Sequence, residues 1–210
     1  MRTRILTPVI ATLLTVGLAT SADAFSQDAS TLPAGAYDLD TTHASLIWKV
    51  SHMGLSNYAA RFTRFDVDLE FDPANPANST VNATIDPTSI ETDYPFPEKK
   101  DFDAKLVNGA DWFNAGEFTQ ITFKSTALQV TGDTTGTMTG DLTFLGVTKP
   151  VTLDVTFNGG YGAHPMNKRP ALGFSATGSL KRSDWGFDTY VPNIGDMVEL
   201  QIEAEFTQAE

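Results

Sequence analysis

From Thr137 to Asn158 the chain alternates apolar and polar residues on both sides of one interruption. Met138, Gly140, Leu142 and Phe144 interleave with Thr137, Thr139, Asp141 and Thr143. Beyond Gly146-Val147-Thr148-Lys149-Pro150, Val151, Leu153, Val155 and Phe157 interleave with Thr152, Asp154, Thr156 and Asn158. A period of two on either side of a Gly- and Pro-bearing break predicts two antiparallel strands, each with one buried and one wet face. Thr suits the wet face, and Pro150 falls at a strand entry, where no ladder N–H is required.

The same pattern recurs along the chain. After a polar leader, Ser26 to Pro33, alternation begins at Ala44, with Leu46, Trp48, Val50 and His52 on one face before a turn at Gly54 and Asn57. Phe65, Val67, Leu69 and Phe71 alternate with Asp66, Asp68, Glu70 and Asp72, and Phe62 is out of phase with them. That phase slip predicts a bulge around Thr63-Arg64. Val81, Ala83 and Ile85 make a strand that stops at Asp86-Pro87; Ile121, Phe123 and Ser125 begin another. Leu172, Phe174, Ala176, Gly178 and Leu180, then Val198, Leu200, Ile202, Ala204 and Phe206, complete the set.

One segment differs in kind. From Glu98 to Val107, Phe102 and Leu106 stand four apart, Asp101 and Lys105 repeat the spacing as an ion pair, and Gly109 is a candidate cap. This predicts one short helix. Trp112 and Phe113 follow it, and so many aromatics between strands predict a lid or plug at one end of the sheet.

About eight antiparallel strands and one helix define an all-β chain, built as a sandwich or as a closed barrel. Long strands, short connections and small residues on the inner face (Gly140, Ala83, Ala176, Gly178, Ala204) favour an antiparallel eight-stranded barrel. Small inward residues leave room for a ligand or merely fit the taper of a filled barrel, and the pattern alone leaves both open.

Residues 1–24 read as a cleaved secretory signal peptide: Arg2 and Arg4 precede an apolar run, and Ala22-Asp23-Ala24 is a small-x-small cleavage signal. Residues 25–210 then form one domain, expected in the periplasm. The chain has no Cys, which rules out disulfides, thiol catalysis and Cys-ligated metals. Its formal net charge is −12, so nucleic acid and anionic lipid surfaces are poor partners, and no stable membrane insertion is expected. The sequence carries no nucleophile elbow, phosphate loop or dinucleotide fingerprint, and His43, His52 and His164 make no close metal-ligand spacing. No catalytic residue, metal or cofactor is predicted. His52 suits a structural hydrogen bond, a ligand's polar end, or acid/base work. Arg182 continues the inward phase of Leu180, and suits an ion pair with a carboxylate such as Asp184 or contact with a ligand's head.

Several segments together carry a resemblance. Tyr37-Asp38-Leu39-Asp40 with His43 and Ser45, Val50-Ser51-His52-Met53-Gly54, Ile85 to Thr92, Asp111-Trp112-Phe113-Asn114, Ile121 to Ser125, Gly140 to Val151, and Lys181-Arg182-Ser183-Asp184-Trp185-Gly186 appear in this order across nearly the whole mature chain. The ordered set resembles the YceI-like family of lipid- or polyisoprenoid-binding proteins. The resemblance implies a lipocalin-like barrel, usually periplasmic and often a homodimer, that holds a long isoprenoid or similar amphiphile in its lumen. The acidic surface makes a neutral head such as a quinone or an amide at least as fitting as a diphosphate.

The physics suits such a ligand. A strand of about ten residues is roughly 33 Å long, and at a tilt of about 40° it encloses about 25 Å of depth. Burying a tail yields about 0.8 kcal/mol per methylene, less several kcal/mol on association. The expected binding residues are therefore mostly apolar. Trp48, Val50, Phe65, Ile85 and Phe123 line the lumen with Leu142, Phe144, Phe174 and Leu200. Phe102, Leu106, Trp112 and Phe113 stand at a mouth, with His52 or Arg182 at the head. The alternatives are a barrel enzyme using His52 as acid/base on the same lipid, and a filled barrel serving as a protein-interaction module.

Overall fold

The computed structural model describes residues 24–210, and the leader reading of residues 1–24 lies almost wholly outside them. The alternating segments form strands β1 (Phe25–Ser26), β2 (Gly35–His52), β3 (Ser56–Phe62), β4 (Phe65–Phe71), β5 (Thr80–Ile85) and β6 (Ile90–Glu91). After the helix α1 (Phe102–Asn108) come β7 (Ile121–Val130), β8 (Thr135–Phe144), β9 (Val147–Tyr161), β10 (Ala171–Lys181) and β11 (Ile194–Gln208). Every pairing is antiparallel, and β11 returns to β2 from Gln208 opposite Tyr37 to Ile194 opposite His52. That last ladder closes the sheet. Because β3 and β4 are two halves of one interrupted strand along β2, and β6 extends β5, the described residues form a closed eight-stranded antiparallel barrel with one α-helix among them. Closure removes the exposed edges that an open sheet must otherwise protect.

Several elements depart from the pattern reading. The first strand begins nine residues earlier than Ala44, at Gly35. Its alternation was hidden because Ala44 and Leu39 face Ala204 and Phe206, so five steps along β2 match two along β11. The extra residues, Asp40 to His43, bulge outward. At Thr63-Arg64 the chain does not bulge within a ladder but breaks between β3 and β4, and the turn Pro87–Ser89 fills the gap: Thr63 N donates to Ser89 O and Asp86 N to Arg64 O. The β8–β9 turn is only Leu145-Gly146, both with positive φ, and Pro150 lies inside β9 opposite Asp141. It is tolerated because β10 pairs with β9 only as far as Leu153, so no ladder bond is lost on that side.

The predicted helix is shorter, starting after Asp101, whose side chain accepts from Ala104 N at 2.8 Å. This is an ordinary N-cap. Gly109 closes it through its N–H to Lys105 O. Among the described residues Asp101 and Lys105 form no ion pair; the Lys105 ammonium instead stands 5.5 Å from the centre of the Trp112 ring. Two apolar clusters fill the barrel unevenly. One, around Phe62, Leu106, Phe113, Phe144 and Trp185, packs the end where α1 lies; the other, around Leu32, Tyr37, Phe71, Phe157, Leu172 and Phe206, packs part of the opposite end.

Candidate functional site

Between those clusters lies a cavity of about 350 Å³, lined from every long strand and walled almost wholly by apolar side chains. The volume is in the range of small-molecule sites. Trp48, Phe65, Ile85, Phe123, Leu142, Phe144, Phe174 and Leu200 line it, as do Phe113 and Arg182. Pairing explains the convergence: Trp48 stands opposite Leu200 and Ala60, Phe123 opposite Leu142 and Ala83, Phe174 opposite Phe157. A closed barrel turns one strand face of each pair to the same interior.

Five of the expected residues stand elsewhere. Val50 is buried beside the cavity without lining it, and His52 is exposed at the end of β2, outside the barrel's interior. His52 thus stands apart from the residues that line the lumen. Phe102, Leu106 and Trp112 sit behind the wall: Leu106 is 3 % exposed, Phe102 packs on Tyr58 and Tyr94, and Trp112 packs on Phe187 and Tyr190. Phe113 lies among Phe62, Phe144 and Phe187, with ring centres 5.4 to 5.7 Å apart. The helix end is thus a plug and not a mouth. Exposed lining residues occur at the opposite end instead, at Val130, Gly132, Asp133 and Thr135, near the half-buried Pro76, Ser79 and Thr134. The opening lies between the β4–β5 loop and the β7–β8 turn.

Small inward residues divide into two kinds. A Cβ on Gly140 would stand 2.3 Å from the Phe123 ring, and one on Gly178 would stand 2.6 Å from Leu153 Cδ2. Those glycines admit neighbouring side chains. Ala83, Ala176 and Ala204 face the cavity itself.

Arg182 is 3 % exposed and its partners are neither a carboxylate nor solvent. Nε donates to Gly195 O, Nη1 to Phe187 O, and Nη2 to Thr189 O and Ile194 O, at 2.8 to 2.9 Å. Asp184 instead lies 3.8 Å from Lys149. Burial pulls the Arg182 pKa down, opposed by Asp196 and Asp188. The side chain fastens the 182–195 loop across the plugged end.

Outside the barrel, Asp40, His43 and Glu205 gather at the β2 bulge with their ligating atoms within 4.8 Å of one another. Asp40 accepts from Thr42 N and Oγ1 at 2.9 and 2.5 Å and contacts His43 Nδ1 at 2.9 Å. The Thr42 and His43 contacts hold the Asp40 carboxyl down at about 2, and Asp40 raises the His43 pKa. These contacts account for the cluster as a clamp on the bulge.

The sequence reading missed much of the wall, including Val67, Leu69, Phe71, Met138, Val151, Leu153, Phe157, Phe187 and Phe206. Most share the period-two phase of their strands, which could have named them. Phe187 has no such signal, since it follows the irregular turn Arg182–Trp185. The residues at the opening lie in turns, where alternation says nothing.

A domain model described as YceI-like matches residues 37–206. The chain is 37 % identical over 183 residues to the UPF0312 protein VPA0850 of Vibrio parahaemolyticus, covering 84 % of this chain and 92 % of the relative. It is 36 % identical over 171 residues to Protein YceI of Escherichia coli O157:H7, covering 81 % and 85 %. Among solved structures, Burkholderia cenocepacia BcnA superposes with a TM-score of 0.69 at 26 % identity, over 80 % of this chain and 99 % of that one. A polyisoprenoid binding domain from Saccharophagus degradans, implicated in plant cell wall breakdown, superposes at 0.57 with 14 % identity, over 82 % and 98 %, a likeness of fold.

Proposed function

The chain belongs to the YceI-like family, and on that premise we propose that it is a periplasmic carrier holding a long isoprenoid-type lipid in the barrel cavity, without catalysis. The observation that carries this reading is the cavity itself: a closed barrel with an apolar wall, plugged at one end and open at the other. Trp48, Phe65, Ile85, Phe113, Phe123, Leu142, Phe144, Phe174 and Leu200 are its proposed contacts. Such a wall binds by removing apolar surface from water, at about 25 cal/mol per Å², and gains most from a chain long enough to run the length of the barrel. The polyisoprenoid-binding description of the Saccharophagus neighbour agrees with the ligand class. Export rests on the leader reading of residues 1–24, and the acidic exterior fits a protein that stays off anionic lipid surfaces. No helix among the described residues is long and apolar enough to cross a membrane.

Native mass spectrometry of the mature protein from its own export compartment, followed by organic extraction and mass analysis, tests the reading. A stoichiometric isoprenoid released from the protein is the expected result. A protein that is empty and also takes up no prenyl lipid added in excess overturns it.

A further inference from the structure

The two ends of the cavity differ in chemistry. At the opening, Ser79, Asp133, Thr134 and Thr135 offer both donors and acceptors to water. At the plugged end the lining side chains are apolar except Trp48 and Arg182, and both of these only donate. Four of the five guanidinium N–H groups of Arg182 are taken by backbone carbonyls. The Trp48 indole N–H is buried and has no hydrogen-bond partner among the described residues. A buried donor without a partner is costly, and most buried indoles have one.

Resting on the lipid-carrier reading, we propose that the ligand enters head first: a neutral, acceptor-only head, a carbonyl, takes the Trp48 N–H at the plugged end, and the tail runs out toward Pro76–Ser79 and Gly132–Thr135. Trp48 stands near the His52 end of β2, opposite Leu200 and Ala60, so the bond forms deep in the barrel. Trp48 lines the cavity, and its buried N–H is the donor there that lacks a partner. Side chains at this end supply no acceptor, which selects against alcohol or ammonium heads that must donate. A dry site built to hydrogen-bond a ligand group rejects the analogue lacking it far better than an apolar wall discriminates by shape.

The test compares a polyprenyl methyl ketone with the hydrocarbon of the same chain length, each titrated into delipidated mature protein and its Trp48→Phe variant. The variant is expected to lose about tenfold more affinity for the ketone than for the hydrocarbon, as for loss of one buried hydrogen bond. Equal effects on both ligands, or none, overturn the proposal and leave the carrier reading standing. A parent protein that binds neither ligand overturns the carrier reading as well. Should the variant fail to fold, the Trp48 indole N–H resonance of the parent decides: a downfield shift with the ketone but not with the hydrocarbon supports the bond, and identical shifts overturn it.

Discussion

Single residues do separable work in this molecule. Arg182 is buried and donates to four backbone carbonyls, so Arg182→Met is expected to cost about 3 kcal/mol of stability, by removing those donors. Arg182→Lys recovers only part of this, because an ammonium cannot reproduce the guanidinium fork. Urea unfolding of the three proteins checks both statements, and a full-strength Arg182→Met barrel would refute the fastening role. The Asp40–His43 contact has a worked pH dependence. The Asp40 pKa is depressed to about 2, so its stabilisation is present above the ordinary carboxylate range near 4 and is lost as pH falls toward 2. The His43 pKa is raised, so its contribution is whole below about 6.5 and is lost as pH rises through the raised value. Both groups face water and the effect is small. It is best read from the His43 ring resonances, whose midpoint should fall in Asp40→Asn; an unmoved midpoint would separate the two residues.

At the scale of elements, the sequence marks strand interiors better than strand ends. Alternation survives wherever one face is buried, because a one-residue slip would turn the whole apolar set to solvent. It fails at the Asp40–His43 bulge, at the Thr63-Arg64 break and through Pro150, where pairing rather than polarity decides what is strand. The helix illustrates the same division. Asp101 and Gly109 mark its ends in the sequence, yet its role as a plug comes from Leu106 and Phe113 packing against β3 and β8 residues far away in the chain. Phe113→Ala is expected to cost about 3 to 5 kcal/mol by leaving a hole among aromatic rings, whereas Asp101→Ala, which removes only the cap, should cost about 1 kcal/mol. Thermal melts of the two variants give the order; a reversed order would mean that the end is held by its helix and not by its packing.

For the whole molecule, the apolar cavity is the feature on which ligand binding depends, and filling it tests that role. Ala176 faces the cavity, whereas Phe144 is 8 % exposed and already packed on Phe113 and Phe187. Ala176→Trp is therefore the sharper probe: it should sharply reduce uptake of a prenyl lipid while leaving the melting temperature unchanged or higher, since it fills space instead of displacing neighbours. Lipid uptake unaffected by this filling would place the ligand elsewhere, and a lost fold would show that the space is not free. The exterior argues the same division of labour, since Asp66, Asp68 and Glu70 on β4 and Glu199, Glu203 and Glu205 on β11 are all exposed. Acidic and apolar residues alternate along the same strands, so one surface is kept for water and the other for the interior.

By itself the sequence determined the all-β class, the inward and outward faces of most strands, the single helix, and the ordered motifs of the family. Those properties are local: period two, turn residues and caps are written within a few neighbouring positions. Only the tertiary structure decided which end is open, that His52 stands outside, that Arg182 is occupied by backbone carbonyls, and that Trp48 carries an unpartnered N–H beside the cavity. Each of these depends on which distant strands and loops meet when β11 closes against β2, and the spacing of residues along one strand carries no information about what the far side of the barrel presents to it.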